Sequence, residues 1–292
     1  MTKALDALRH FARRLAGTPP RRSRLTIRDQ GQGNTVLVAP GDLQGEIIIT
    51  GDGNRIEIGA GCRATGLRIE VGSACAVSIG EGGHLGDLLV RAKDRATVEV
   101  GANFTHAAGP RPAGRGLLIH GPDSRIAIGP GCQAGDLHLE LGTACAVEIG
   151  QACGLGDLFV HAATQGRVTI GAGTGIGGTL RLLLHEPGEI AIGTGCLFAS
   201  EIDVSISDMH SIVDAATGQR INPAASVAIE DRVWVGVRAM ILKGAHIQAG
   251  SIIGACSVVS GSIAGNSVAA GAPAKVVRSG VTWWHELLPL PG

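Results

Sequence analysis

Between Ile229 and Val259 one bulky aliphatic residue recurs every six positions: Ile229, Val235, Ile241, Ile247, Ile253 and Val259. Two residues before each of the last five sits Val233, Ala239, Ala245, Ser251 or Ser257, all small or β-branched. A helix repeats at 3.6 residues and a half-buried strand at 2, so neither produces this spacing; a fixed short period is the mark of a solenoid. The bulky residue fills the interior of a coil, and the small one lets the chain turn a corner. Three such sides close a triangular coil of eighteen residues, whose parallel strands pair with the coils above and below. Composition agrees. With 46 Gly, no Tyr and only four Phe, the chain suits a narrow aliphatic interior with many turns better than a broad globular core.

The repeat continues upstream in a longer form. Ile58, Ile79 and Val100 are 21 residues apart and each precedes a glycine; Ile128, Ile149 and Ile170 do the same. The stretch from Arg55, RIEIGAGCRATGLRIEVGSACAVSIG, matches that from Arg125, RIAIGPGCQAGDLHLELGTACAVEIG, at an offset of 70 residues, an internal duplication. The extra residues of these wider coils are expected to bulge at corners. Asn103 to Gly116 is expected to leave the solenoid as a loop, because its Gly and Pro content disfavours regular structure. Cys62, Cys132 and Cys196 each follow an Ile-Gly-x-Gly sequence and are expected to line one turn as small hydrophobes.

The ends read differently. Residues 2–17 predict an amphipathic helix, with Ala4, Leu5, Leu8, Phe11, Ala12 and Leu15 on one face and Lys3, Arg9, Arg13 and Arg14 outweighing Asp6. It serves as a cap over the open end of the solenoid, an oligomer contact or a peripheral membrane-surface helix. The resulting division is 1–30 for helix and linker, 31–265 for the solenoid with an active-site loop near 208–226, and 266–292 for a tail that closes the far end. The repeat is expected to end after Ser262. A formal net charge of zero disfavours a nucleic-acid surface. No apolar run is long enough for a membrane span, and seven cysteines without metal-type pairing point to reduced thiols in a cytoplasm, with the inner membrane face as the alternative site.

The segments SDMHSI, GQRINPA, VWVG, ILKG, IIGACSVV and GAPAKVVR, all within Ser207 to Arg278, resemble hexapeptide-repeat acyltransferases, in particular bacterial capsular and surface polysaccharide O-acetyltransferases. The resemblance is detailed over the last third of the chain and weaker upstream. It implies an all-β, left-handed parallel β-helix, an exception to the usual right-handed crossover. It implies acetyl-CoA as co-substrate, a glycan or sugar acceptor, and a homotrimer with sites between subunits.

His210 is the candidate base. Transfer of an acyl group to a hydroxyl requires a group that takes the proton as the oxygen attacks the thioester, and imidazole titrates in the working range. Backbone N–H groups would hold the oxyanion. A structural histidine at a loop edge is the plain alternative. In an extended strand Asp208 would share its face, about 6–7 Å away at Cα, and orient the ring; a solvated loop aspartate fits equally well. By resemblance Trp234 walls the pantetheine arm or acceptor, with core or subunit packing as the alternative. Lys275 and Arg278 bind the coenzyme A phosphates or are solvated surface charges, and Gly236, Gly254 and Ala255 admit the pantetheine. Ala272 stands where the family's tail motif has Asn, which removes one polar contact. The remaining histidines form no ligand pattern, so no metal is expected. The competing functions are N-acetylation of an amino-sugar nucleotide and a non-catalytic scaffold.

Overall fold

The computed structural model describes residues 25–107 and 114–290. The expected helix over residues 2–17 lies outside them. The described chain is an all-β parallel solenoid with three faces, built from sheets of 14, 11 and 6 strands. In the 11-stranded sheet each coil contributes one strand, so there are about 11 coils. One interior column runs its full length in register: Val38, Ile58, Ile79, Val100, Ile128, Ile149, Ile170, Ile192, Ile229, Ile247 and Ile263. The hexad positions behave as read. Ile229 and Ile247 lie in this sheet, Val235 and Ile253 in the 6-stranded one, and Ile241 and Val259 in the 14-stranded one. The corner residues Val233, Ala239, Ala245, Ser251 and Ser257 are all buried. The two halves of the duplication, at Ile58 and Ile128, stand three coils apart.

The Ile-Gly-x-Gly sequence has a specific backbone role. Its second glycine turns the corner in the left-handed region: φ is 72° at Gly61, 69° at Gly131 and 63° at Gly195. The matching corners of other coils place Asn103, Ala152 and Arg232 there at 54–56°, at a steric cost glycine does not carry. The first glycine packs coil on coil: a Cβ at Gly80 would stand 2.4 Å from the Ala102 nitrogen. The following residue lines the interior. Cys62, Cys132, Cys153 and Cys196 hold this ladder with Phe104 and Thr174, all buried.

Four expectations need correction. The additional residues of the wide coils mainly lengthen strands: Leu137–Thr143 and Asp157–Thr164 contrast with two-residue Met240–Ile241 in the same sheet, and register shifts within the wide coils occur only locally, at Leu43/Gly45 and Arg63/Ala64 among the described residues. Lengthening adds ladder hydrogen bonds, whereas a bulge leaves backbone groups to be satisfied elsewhere. The insertion begins later than Asn103, since Phe104 is buried in the core and Thr105–His106 is a strand. The solenoid starts at Leu25–Asp29, ahead of the Gly31 boundary, because Ile27 stacks in register on Ile47. The repeat also outlasts Ser262: Ile263 fills the interior column, and Ser267–Gly271 extends the 6-stranded sheet. There Ala274–Ser279 folds back antiparallel onto that last strand and ends the sheet.

Candidate active site

Strand Ile202–Ser205 runs in the 14-stranded sheet, and Ile206 still points into the core. The chain then leaves the coil at Ser207 and re-enters at strand Val227–Ile229 of the 11-stranded sheet. The excursion is a short hairpin. Val213 and Arg220 form an antiparallel bridge, and the Ile221 N–H donates to the Ile212 carbonyl at 2.8 Å. Its tip is set by Asp214, whose carboxylate accepts from the N–H groups of Ala216 (3.0 Å) and Thr217 (2.7 Å) and from the Thr217 hydroxyl (2.9 Å). An Asx turn of this kind closed by glycine, here Gly218 at φ 67°, is a favoured reversal.

The root of the hairpin is organised by Asn222, buried beneath exposed neighbours. Its Nδ2 donates to Asp208 Oδ2 and to the His210 carbonyl, both at 2.8 Å. Its Oδ1 accepts from the Ile212 N–H at 2.7 Å and Arg220 Nε at 3.1 Å. Arg220 forks onto Glu186 with two bonds of 2.7 Å, and the Ser207 hydroxyl donates to the same carboxylate at 2.5 Å. The Arg220 guanidinium, then the Ser207 hydroxyl, bring the Glu186 carboxyl down to about 2. Lys243 reaches across from the next coil to Asp208 at 2.5 Å and, with Asn222, lowers the Asp208 carboxyl. The charges at the root are therefore paired, two cations against two carboxylates.

On this base His210 stands exposed at the solvent side. Its N–H donates to the Asp208 carbonyl at 2.8 Å across Met209, which has φ 65°. A bond from residue i+2 to i around a positive φ is a γ-turn of the rare, strained kind. Strain at a non-glycine residue is retained where surrounding contacts over-determine it, and such positions cluster at functional sites. The extended-strand reading of Asp208 is thereby corrected. The segment is not a strand, and the Asp208 carboxylate binds Lys243 and Asn222. The Asp208 backbone carbonyl accepts from the His210 N–H, and the carboxylate shares the Asn222 amide with the His210 carbonyl.

The proposed donor residues lie elsewhere. Trp234 faces outward from the 6-stranded sheet, opposite Leu197 and Ile252 in the neighbouring coils. Its ring lies 6.2 Å from that of Trp283 in the tail, and the Trp283 indole N–H donates to the Arg232 carbonyl at 2.6 Å. Lys275 and Arg278 are exposed on the last strand of that sheet. The N–H groups of Gly236 and Gly254 are committed to the carbonyls of Ile253 and Ala269, and a Cβ at Gly236 would meet the Ala255 nitrogen at 2.7 Å. Coil stacking thus accounts for Gly236, and neither N–H is free for a ligand. Ala255 follows Gly254 at the same corner. In one chain, then, His210 projects from the corner between the 14- and 11-stranded sheets, while Trp234, Lys275 and Arg278 occupy the third face. The structure does not bring the two sets together within the one chain.

Sequence reasoning did not pick out Asn222, Arg220, Glu186, Lys243 or Trp283. Asn222 and Arg220 were visible as part of GQRINPA and Lys243 as part of ILKG, but their convergence requires the fold. Among the described residues no group of His, Cys, Asp and Glu is placed to hold a metal ion, and no helix is long and apolar enough to cross a membrane. Burial raises the thiols of Cys75, Cys145 and Cys196, the last to about 11, which leaves them protonated and unsuited to nucleophilic attack.

No protein-family model matches the chain. Individual proteins do. A polysialic acid O-acetyltransferase of Escherichia coli O1:K1 / APEC is 35% identical over 94 residues, 32% of this chain and 31% of that protein. A putative lipopolysaccharide biosynthesis O-acetyl transferase, WbbJ, of Escherichia coli K12 is 35% identical over 97 residues, 30% of this chain and 50% of its own. About a third of this chain is homologous to hexapeptide-repeat O-acetyltransferases. The matches span only about a third to a half of the length of these relatives. Among solved structures, the polysialic acid O-acetyltransferase OatWY aligns with 91% of this chain and 93% of its own, at 21% identity and a TM-score of 0.40.

Proposed function

We propose that the protein is an acetyl-CoA-dependent O-acetyltransferase acting on a hydroxyl of a bacterial surface or capsular polysaccharide or its sugar precursor. The observation that carries this reading is the placement of His210. It is an exposed imidazole on a strained γ-turn, held by a buried asparagine, in the hairpin that leaves the solenoid between Ile206 and Val227. Similarity to a polysialic acid O-acetyltransferase and to a putative lipopolysaccharide biosynthesis O-acetyl transferase supports the acceptor class.

In this mechanism the His210 imidazole accepts the proton of the acceptor hydroxyl as the oxygen bonds to the thioester carbonyl carbon. The tetrahedral oxyanion then collapses, the carbon–sulfur bond breaks, and the imidazolium returns its proton to the departing thiolate. A positioned base contributes about 10²–10⁴ in rate. Asn222 fixes the backbone that carries the ring, and Asp208 and Lys243 fix Asn222. Trp234, Lys275 and Arg278 would bind the donor, with the cations on its phosphates. Because they occupy a different face from His210, a complete site takes its base from one subunit and its donor contacts from a neighbour, which favours a homotrimer. The seven cysteines are free and six are buried, in keeping with a reducing cytoplasm.

The test is release of free coenzyme A thiol, with mass detection of the acetylated product, on a panel that includes polysialic acid, lipopolysaccharide precursors and amino-sugar nucleotides. Ester formation supports the reading. Products that are exclusively amides would replace it with N-acetylation, and no transfer to any acceptor would favour a scaffold.

A further inference from the structure

On the outer face of the 14-stranded sheet the wide coils carry an aromatic platform that the proposed mechanism does not use. His138, Phe159, Arg181 and Asp203 occupy one outward column, in register on adjacent strands. The His138 and Phe159 rings stack at 5.2 Å with 23° between their planes. Burial holds the His138 imidazole below its ordinary value, so the ring is neutral and extends the apolar surface. Asp157 and Thr179 pair on the same two strands as Phe159 and Arg181, and the Arg115–Asp136 ion pair completes the lining. These residues bound a depression of about 350 Å³, within the size range of small-molecule sites. Its polar groups are incompletely used. Asp136 Oδ1 and His138 Nδ1 are the two buried side-chain atoms among the described residues without a hydrogen-bond partner, and buried polar groups are normally paired. Arg181 gives two bonds of 2.5 Å to Asp203, and a guanidinium has five N–H donors in all.

We propose that this platform is a sugar-binding subsite that holds an uncharged pyranose unit of the acceptor, remote from the base. A pyranose has an apolar C–H face that lies flat on an aromatic ring, and hydroxyls that donate to carboxylates and accept from guanidinium N–H groups. The carboxylates of Asp136, Asp157 and Asp203 outnumber the cations of Arg115 and Arg181, which disfavours an acidic sugar. Phe159 lies two strands from Ile202–Ser205, the strand that continues into the hairpin. At about 4.8 Å between strands and 3.3 Å per residue along them, the platform is roughly 15–20 Å from the hairpin root. The surface between them carries the His161 and His185 rings, 4.9 Å apart. A glycan laid along this face therefore meets the platform with one unit and His210 with another. The sugar site stands on this geometry alone, whereas its service to the acceptor rests on the acetyltransferase reading.

Calorimetric titration of the full-length protein tests it, with neutral tetrasaccharides of glucose, galactose and N-acetylglucosamine and with the tetramer of sialic acid as probes. At least one neutral tetrasaccharide is expected to bind. Phe159→Leu, which keeps the packing but removes the flat ring, and Arg181→Gln are each expected to weaken that binding roughly tenfold. Binding of no neutral saccharide, or binding that both variants retain, overturns the inference. Binding confined to the sialic acid tetramer overturns the proposed ligand class. In transfer assays Phe159→Leu should raise the KM for a polymeric acceptor severalfold and leave the KM for acetyl-CoA unchanged. Loss of saccharide binding with an unchanged acceptor KM removes the acceptor role and keeps the sugar site. Saccharide binding by a wild type that transfers acetyl to no acceptor overturns the acetyltransferase reading alone.

Discussion

Replacing Asn222 with alanine probes how the site is held without touching the base. The side chain makes four hydrogen bonds, two of them with charged partners, Asp208 and Arg220. Net contributions are about 1 kcal/mol for a neutral bond and about 1.5–3 for one with a charged group, so the gross sum is roughly 5–8 kcal/mol. The four share one side chain, and water reaches Asp208, His210 and Arg220 once the amide is gone. We therefore expect about 2–4 kcal/mol to be lost, all of it local to the hairpin. At 1.4 kcal/mol per factor of ten, the ordered loop becomes about 30- to 700-fold less favoured. The core is untouched, so the melting temperature should move by no more than a few degrees. Exchange at the Ile212 and Ile221 amides should accelerate by about the same 30- to 700-fold, and kcat should fall with it. Full protection of those two amides in Asn222→Ala would refute the claim that this residue organises the root, and wild-type turnover with a loosened loop would refute its link to catalysis.

The Glu186 carboxyl is depressed to about 2 from an ordinary value near 4.5. Its partnership with Arg220 is therefore fully present above about pH 4.5 and is lost as the pH falls toward 2. Proteolytic cutting within residues 207–226 should rise over that window in the wild type, and Glu186→Gln should flatten the dependence; identical pH profiles would exclude the pair as the hairpin's anchor. For the donor, Lys275→Ala and Arg278→Ala should each weaken coenzyme A binding and reduce its salt dependence, because charge-assisted contacts at an exposed site are screened. Equal titration of coenzyme A and its 3′-dephospho form by the wild type would remove the assigned phosphate contact.

The coil was legible because its determinants are local. One aliphatic per side and one small residue per corner repeat every six residues, and Ile229 to Val259 keep that period without a gap. The wider coils were legible in period but not in detail. Nothing in a spacing of 21 says whether three added residues extend a strand or loop out at a corner, since that choice depends on pairing with the coils on both sides. Phe104 illustrates the same limit: it belongs to the corner ladder of Cys62 and Cys132, yet an aromatic residue beside a Gly- and Pro-rich stretch reads as loop. His210 stood out because a lone histidine interrupts a regular pattern. Its support did not, because Glu186 and Lys243, 24 and 33 residues away in sequence, meet it only when coils stack, and Asn222, 12 residues away, only when the hairpin closes. Asp208 shows the opposite error. Two residues of separation suggests a shared face of a strand, but the chain turns at Met209 with a positive φ, and the Asp208 carboxylate is taken up by Lys243 and Asn222.

In the proposed mechanism the exposed imidazole on this hairpin removes a proton from a glycan hydroxyl during acetyl transfer. The most direct measurement is single-turnover acetyl transfer by wild type and His210→Ala, with acetyl-CoA saturating, on an acceptor that the wild type esterifies. The transfer rate of His210→Ala should fall by about 10² or more, with acetyl-CoA affinity and melting temperature nearly unchanged. A transfer rate within a few-fold of wild type would contradict it.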